Sequence, residues 1–186
     1  MADAALRAYG PDVLGVLIAT LRDRSAAAEV YADFSANLWI GLPNFRWESS
    51  LRTWAYTLAR NSARRYRRDP LRRRGVAVSD CAEVEQIPVR PRTETAPYRR
   101  TESKDQVSSL RRALDPDDQM LLVLRVDRKL PWDDIAVIMR PERPDTEGAA
   151  APDDDAARRR AAASLRKRFE RIKGELRALL APRLPA

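Results

Sequence analysis

Few residues of this chain could perform covalent chemistry, and their number and spacing suit an enzyme poorly. The sequence contains one cysteine, Cys81, and no histidine. Without histidine, the Ser–His and Cys–His pairs that activate a nucleophile cannot form, and neither can a zinc site that needs imidazole. Cys81 stands among acidic and hydroxyl residues without a basic neighbour, so we expect an unreactive thiol in a reducing compartment.

Carboxylates are the remaining candidates for chemistry, because hard cations prefer oxygen ligands. The acidic residues that could in principle hold such a cation are Glu48, Asp117, Asp118, Asp133 and Asp134. Both Asp pairs stand at the expected starts of helices, where the helix dipole already favours negative charge. We therefore expect no metal, no cofactor and no catalytic residue, which makes a DNA-modifying enzyme the least favoured function.

Positive charge is the strongest functional signal in the sequence. Lys and Arg number 35 against 27 for Asp and Glu, so the formal net charge is +8. Such a surplus favours a polyanionic partner, and a protein that is basic only for solubility is the alternative. One helical face between residues 51 and 68 carries a row of basic and aromatic residues, namely Arg52, Tyr56, Arg60, Arg64 and Arg67. Such a row is either a solvated surface or a surface for a polyanion.

A short loop before this helix carries an aromatic residue on each side of Arg46. Phe45 and Trp47 are of the type that stacks on unpaired bases. Either ring could instead simply pack against Trp54 or Leu58. An aromatic loop followed by a basic helical face favours binding of single-stranded or melted nucleic acid.

The helices that must position these residues form a first block over residues 1–68. Apolar residues at helical spacing predict one helix that begins near Pro11 and a second from about Ala26 to Leu42. The third runs to about Arg68 from a cap at Ser49 or Ser50. Residues 69–104 carry four prolines and an Arg run without periodicity, which predicts a flexible linker.

Residues 105–186 read as a second helical block. Asp115-Pro116 starts one helix, a short helix follows Pro131, and a long helix runs from about Asp155 to Leu180. The apolar stripe of the long helix comprises Leu165, Phe169, Ile172, Leu176 and Leu179, and the face opposite carries Arg166, Lys167 and Arg171. The order of these helices resembles a helix-turn-helix with an extended insert over 140–155. An ordinary three-helix bundle is the alternative. No period-two pattern occurs, so the predicted fold is all-α, with two small helical domains.

The apolar stretch from Val13 to Leu21 is shorter than the roughly twenty residues that a membrane span needs. It reads as an amphipathic helix rather than a signal peptide. We therefore expect a cytoplasmic protein without membrane insertion.

Several motifs resemble those of the extracytoplasmic-function sigma factors of bacterial RNA polymerase. The segment 27–33 with Leu38-Trp39 resembles that family's polymerase-binding helix. The segment 45–54, followed by 59–61, resembles its promoter-melting loop and helix. Three further segments, 114–118, 130–136 and 165–169, resemble parts of that family's C-terminal domain.

By position, the resemblance implies a role for individual residues. Glu29 and Asp33 would contact core RNA polymerase, and Phe45 and Asn61 would shape a pocket for a base flipped from the minus-ten element. The minus-thirty-five element would be bound by Arg166, Lys167 and Arg171. The other residues with an implied DNA contact are Arg46, Trp47, Ser49, Arg52, Tyr56, Arg60 and Arg64. Members of this family are often held inactive by an anti-sigma factor. The implied partners are therefore core RNA polymerase, promoter DNA and an anti-sigma factor.

The sequence thus predicts a sigma factor that directs promoter recognition and melting. Residues 1–68 correspond to sigma region 2, residues 69–104 to the linker, and residues 105–186 to the helix-turn-helix of region 4. Three features depart from the family pattern. Ser35 stands where a large apolar residue is common, the 140–155 insert replaces the turn, and the linker is rich in arginine. The alternative is a stand-alone helix-turn-helix regulator, which would leave the 45–54 loop without a role.

Overall fold

Helices make up all the regular structure in the part of the chain that the structure describes. The computed structural model describes residues 1–70, 114–140 and 155–180. Its helices are α1 (Ala2–Leu21), α2 (Arg24–Gly41), α3 (Leu51–Arg68), α4 (Pro116–Leu122), α5 (Trp132–Ile138) and α6 (Asp155–Leu180). A 3-10 turn follows α2 over Leu42–Asn44, and a π-helical turn follows α4 over Val123–Asp127. The predicted all-α fold is confirmed, whereas most of the predicted linker and insert lie outside the described residues.

Helix α1 begins earlier than the sequence predicted. Its expected start was near Pro11, but this proline lies inside a helix that begins at Ala2. Proline in a helix removes one hydrogen bond and crowds the preceding turn. The first turns form nevertheless because Ala2 and Ala5 are buried in the core. Packing therefore overrides the local signal.

By length and composition, α1 is apolar enough to cross a membrane, although its central apolar stretch was predicted to be too short. Of the apolar window, 56% is buried inside the structure. Val13 and Leu17 on this helix have no exposed surface. This burial is what a core helix of a folded domain shows.

Side-chain caps determine where α2 and α4 begin. Asp23 accepts hydrogen bonds from the backbone of Ser25 and Ala26 at the start of α2. Asp115 accepts one from the backbone of Asp117 at the start of α4, where Pro116 occupies the first helical position. The predicted start at Asp115-Pro116 is confirmed.

The apolar faces predicted from helical spacing are mostly buried. Helices α1, α2 and α3 pack on one another, and α4, α5 and α6 do the same. On α6 the predicted stripe is buried only in its middle, since Phe169 and Ile172 are covered whereas Leu179 is 46% exposed. We refer to α1–α3 as the N-terminal group and to α4–α6 as the C-terminal group.

The two groups also pack against each other. Helix α1 contacts α4, and α3 contacts α5. Buried apolar side chains from both groups belong to one continuous cluster. The helices predicted to form separate domains therefore share a core in this conformation.

A close approach in the N-terminal group generates the first prediction. A Cβ atom added to Gly10 would overlap the hydroxyl of Tyr31, whereas one added to Gly174 on α6 would meet nothing within 4 Å. Alanine normally stabilises a helix interior relative to glycine by about 1 kcal/mol. We expect Gly174→Ala to raise the free energy of unfolding and Gly10→Ala to lower it by about 1–3 kcal/mol because of overpacking.

Urea denaturation followed by circular dichroism measures both changes. Combining Gly10→Ala with Tyr31→Phe removes the overlapping hydroxyl and should restore most of the loss. A Gly10→Ala protein as stable as the parent would show that the helices are not this close.

Candidate nucleic-acid interface

The loop before α3 holds its two aromatic residues in different environments. The Phe45 ring centroid lies 5.0 Å from that of Trp47 and 4.9 Å from that of Trp54. Phe45 is half-buried, whereas Trp47 is 65% exposed and has a positive φ of 59°. The sequence allowed either ring to pack against Trp54 instead of stacking on a base. In the structure, Phe45 is the ring that packs there. Trp47 presents a large apolar surface to solvent.

Ser50 connects this loop to α3. Its hydroxyl oxygen accepts a hydrogen bond from the backbone of Thr53 at 3.0 Å and lies 2.7 Å from the Thr53 hydroxyl oxygen. The Ser49 hydroxyl reaches only the carbonyl of Ser50, at 3.4 Å. Of the two candidate caps, Ser50 is the one used, and it holds the aromatic loop at the start of the basic helix.

The C-terminal group covers much of the basic face of α3. Tyr56 and Arg60 are only 2% and 3% exposed, although the sequence predicted a face open to solvent or to nucleic acid. Arg52 donates to the carbonyl oxygen of Arg128 at 3.3 Å. Arg60 donates to the carbonyl oxygen of Arg140 at 3.0 Å. Arg64, one turn further on, is half-buried.

Asp117 of α4 completes this contact. Its carboxylate lies 3.5 Å from the Arg60 guanidinium. Burial lowers the pKa of the nearby Arg67 guanidinium, and the carboxylates of Asp117 and Asp115 oppose that change. The first turn of α4 thus supplies negative charge to the basic face of α3.

A buried ion pair lies beside Tyr56. The guanidinium of Arg128 donates to the Asp12 carboxylate at 2.8 Å and to the Asp12 carbonyl oxygen at 3.0 Å. The two side chains are 7% and 12% exposed. Burial is the main cause of the raised pKa of Tyr56, with Arg128 lowering it and Asp12 raising it again. Sequence reasoning missed this pair because its members are 116 residues apart and no local pattern links them.

A second set of polar contacts joins α1 to the start of α4. Arg22 donates to the Gln119 side chain at 3.0 Å and to the Leu114 carbonyl at 2.7 Å. Gln119 in turn donates to the carbonyl oxygen of Ala19. These contacts were also missed by the sequence, since Arg22 and Gln119 belong to no motif.

The residues predicted to bind polymerase lie on α2. Glu29 and Asp33 are half-buried and one helical turn apart. Trp39 and Ile40, further along the helix, are 51% and 74% exposed. Ser35 stands where the family commonly has a large apolar residue. Its hydroxyl donates a hydrogen bond to the carbonyl oxygen of Tyr31 at 2.9 Å.

Other predicted DNA-binding residues lie in two places. Arg46 is exposed and Ser49 half-buried in the loop, and Asn61 is half-buried on α3. Arg166, Lys167 and Arg171 are exposed on α6. The Arg166 guanidinium lies 5.9 Å from the centroid of the Trp132 ring. Phe45 and Trp47 thus lie at the start of α3, where Phe45 contacts Trp54, and the three α6 residues lie on a different helix.

Two of the five carboxylates considered as metal ligands pair with arginines. Asp117 pairs with Arg60, and Asp118 pairs with Arg168. Within residues 1–70, 114–140 and 155–180, no group of three or more metal-ligating side chains comes together.

Comparison with known proteins identifies the N-terminal group. The model of the sigma-70 region 2 family matches residues 5–74, which span α1, α2 and α3. No curated protein and no solved structure matches the chain. The match shows that residues 5–74 are similar to sigma-70 region 2, and it supports the resemblance to extracytoplasmic-function sigma factors that the motifs indicated. This family consists of transcription initiation factors, not enzymes, and its region 2 supports a role in promoter recognition by RNA polymerase.

The cap of α3 generates the second prediction. Ser50→Ala removes the acceptor for the Thr53 N–H, and loss of such a cap costs about 1 kcal/mol. Ser49→Ala, the matched control, removes only an exposed contact and should leave stability unchanged. Thermal denaturation measures both variants. Equal melting temperatures for the two variants would contradict the assignment of the cap to Ser50.

Proposed function

We propose that the protein is a sigma factor that binds core RNA polymerase and directs promoter recognition and melting. Residues 1–68 would bind polymerase and the minus-ten element, residues 69–104 would act as linker, and residues 105–186 would bind the minus-thirty-five element. The observation that carries the proposal is an exposed tryptophan beside an anchored phenylalanine at the capped start of a basic helix. This loop lies within the segment that matches sigma-70 region 2.

The aromatic loop suits an unpaired base. Phe45 is supported from behind by Trp54, so its ring is held in place, while Trp47 is free to cover a base. Stacking on an aromatic side chain contributes about 1–3 kcal/mol per base, which offsets much of the cost of unstacking it. Asn61 adds an amide that can pair with a base edge, and Ser49 and Arg46 flank the loop.

The basic residues divide between two kinds of DNA contact. Arg52 and Arg64 on α3, which are half-buried, would hold the backbone of the melted strand, since phosphate contacts position a protein without reading sequence. Tyr56 and Arg60, which the C-terminal group covers here, would reach that strand only when this group does not lie on α3. The exposed face of α6 would enter the major groove of duplex DNA. Its Arg166, Lys167 and Arg171 would contact the minus-thirty-five element there.

The same proposal accounts for the surface of α2. Glu29 and Asp33 offer two carboxylates to a basic partner, and Trp39 and Ile40 offer apolar area nearby. Core RNA polymerase in the cytoplasm is the proposed partner. An anti-sigma factor is a further proposed partner, and no cofactor or catalytic residue is required.

Polymerase binding provides the third prediction. Changing Glu29 and Asp33 together to Lys reverses two charges on one face, so association with core polymerase should weaken at least about tenfold. Changing the exposed Asp3 and Asp133 to Lys alters the net charge equally and serves as control. Co-elution with core polymerase at moderate salt measures the effect.

Two results would count against this proposal. Undiminished binding by the Glu29 and Asp33 variant would remove these residues from the interface. Failure of the parent protein itself to bind core polymerase would favour the stand-alone helix-turn-helix regulator.

Promoter opening provides the fourth prediction. Phe45→Ala and Asn61→Ala remove the ring and the amide proposed to hold the flipped base, and each should reduce opening by about tenfold or more, since one stacked base is worth about 1–3 kcal/mol. Polymerase binding should be unchanged, because neither residue lies beside Glu29 and Asp33 in the proposed interface. Permanganate reactivity of unpaired thymines measures opening.

Asn37→Ala is the control for Asn61, since Asn37 is a half-buried amide of the same group that donates to Ser62. Circular dichroism verifies that each variant folds. Normal opening by folded Phe45→Ala and Asn61→Ala proteins would refute the melting role.

A further inference from the structure

Trp132, the first residue of α5, contacts both a buried and an exposed residue of α6. Its ring centroid lies 5.5 Å from that of the buried Phe169, at an interplanar angle of 75°. The guanidinium carbon of Arg166, three residues earlier on α6, lies 5.9 Å from the Trp132 centroid. Arg166 itself is exposed, and Trp132 is half-buried. One ring therefore connects the core to the proposed duplex-binding face of α6.

We propose that Trp132 is a positioning residue, which holds the guanidinium of Arg166 in the orientation needed to read one base pair of duplex DNA. Arg166 would touch the DNA, and Trp132 would act only through Arg166. The inference rests on the proposed function, because it concerns the face of α6 assigned to the minus-thirty-five element. It goes further in separating one of the basic residues on that face from the others.

The ring of Trp132 is itself held in place. Phe169 packs against it edge to face, an arrangement that aromatic pairs favour. The guanidinium carbon of Arg125 lies 4.8 Å from the centroid of the same ring. Arg125 also donates a hydrogen bond to the carbonyl oxygen of Leu130 at 2.8 Å, which ties its side chain to the backbone just before α5. A ring supported in this way gives Arg166 a fixed surface.

Contact with a ring suits a guanidinium that must still bind a base. The electrons of an aromatic ring attract a cation that lies over it, and arginine can make this contact with the flat face of its guanidinium. The N–H groups lie in the plane of the guanidinium, so they stay available for two parallel hydrogen bonds to a base edge. A carboxylate partner would instead occupy those donors.

The two other basic residues of this face are placed differently. Lys167 is exposed, and within the described part of the chain its ammonium lies over no aromatic ring. The Nε atom of Arg171 lies 3.7 Å from the carboxylate of Glu175, one helical turn further on. An ammonium on a flexible stem acts as a point charge, which suits a phosphate. The structure therefore favours Arg166 for reading a base, and Lys167 and Arg171 for contacting the DNA backbone.

The size of the expected effect follows from the kind of contact. A cation over a ring at a partly exposed site shifts an equilibrium about two- to fivefold. The shift favours binding because a side chain that is already ordered loses less entropy when it meets DNA. Loss of Arg166 itself should reduce discrimination at its base pair about five- to 150-fold. The effect of Trp132 should therefore be smaller and should fall on the same base pair.

The test uses the full-length protein assembled with core RNA polymerase. Selection from a pool of random-sequence duplexes finds the sequence that the parent prefers, and selection with Arg166→Ala identifies the base pair that Arg166 reads. Competition binding then compares the preferred duplex with one changed only at that base pair. We expect Trp132→Leu to lower the ratio of the two affinities about two- to fivefold. The salt dependence of binding should stay unchanged, since no phosphate contact is lost.

Three further variants separate positioning from packing. Trp132→Phe keeps an aromatic face and should retain more of the affinity ratio than Trp132→Leu. If Trp132 only filled space, both substitutions would lower the ratio equally. Lys167→Ala should weaken binding to the two duplexes equally and reduce the salt slope by about one, as loss of a phosphate contact does. Tyr9→Leu is the matched control, because it removes a half-buried ring from α1 and should leave the ratio unchanged.

Nuclear magnetic resonance of the full-length protein tests the ring contact without any substitution at Trp132. The ring current of Trp132 should shift the side-chain protons of Arg166 away from their ordinary positions. Arg166→Ala identifies these signals by their disappearance. Arg166 protons at ordinary positions would overturn the inference, even if the Trp132 variants failed to fold by circular dichroism.

The binding outcomes distinguish failure of this inference from failure of the proposed function. An unchanged affinity ratio in a folded Trp132→Leu protein would reject the positioning role alone, provided that Arg166→Ala loses a base pair. Equal losses in Trp132→Phe and Trp132→Leu would reject it as well. If the parent complex selects no sequence, or if Arg166→Ala selects the same sequence as the parent, the proposed role of α6 is wrong and the inference fails with it.

Discussion

The buried guanidinium groups of this protein need hydrogen-bond acceptors, and each finds them in the other helical group. These polar contacts join the two groups. Arg128 enters the boundary between them and is met by both the carboxylate and the carbonyl oxygen of Asp12. Arg60, equally buried, is met by the Arg140 carbonyl and by Asp117. Leaving such a charge unpaired inside a protein costs several kcal/mol. The packing of α1 on α4 and of α3 on α5 therefore depends on these polar contacts as well as on the shared apolar core.

The same residues carry two incompatible demands. A row of arginines on α3 suits a polyanion, yet a folded protein without DNA must still satisfy those charges. Here the first turn of α4 and two backbone carbonyls meet that demand. The acidic Asp117, which the sequence offers as a metal ligand or a helix-dipole partner, acts as a counter-charge for Arg60. Charge complementarity within one chain thus parallels the complementarity expected between the protein and its promoter.

The evidence for the family differs between the two helical groups. Sigma-70 region 2 covers the N-terminal group, whereas α4, α5 and α6 lie outside the match. The case for region 4 in the C-terminal group therefore rests on motif resemblance and on the exposed basic face of α6. On the last helix Arg166, Lys167 and Arg171 are exposed, whereas Phe169 and Ile172 are buried.

The sequence by itself determined the all-α class, the bounds of α3 and α6 and the similarity of the N-terminal group to sigma-70 region 2, because helical periodicity, caps and short motifs are local properties. It also predicted an aromatic loop before a basic helix, although only the structure shows that Phe45 packs on Trp54 while Trp47 stays exposed. The start of α1 was wrong, since burial of Ala2 and Ala5 outweighed the signal of Pro11. The burial of Tyr56 and Arg60 could not be predicted from the sequence. Residue spacing shows which side chains share a helical face, but it does not show which other helix packs against that face. Only the tertiary structure decided that Asp12 meets Arg128 across 116 residues, since such a contact depends on how the whole chain packs.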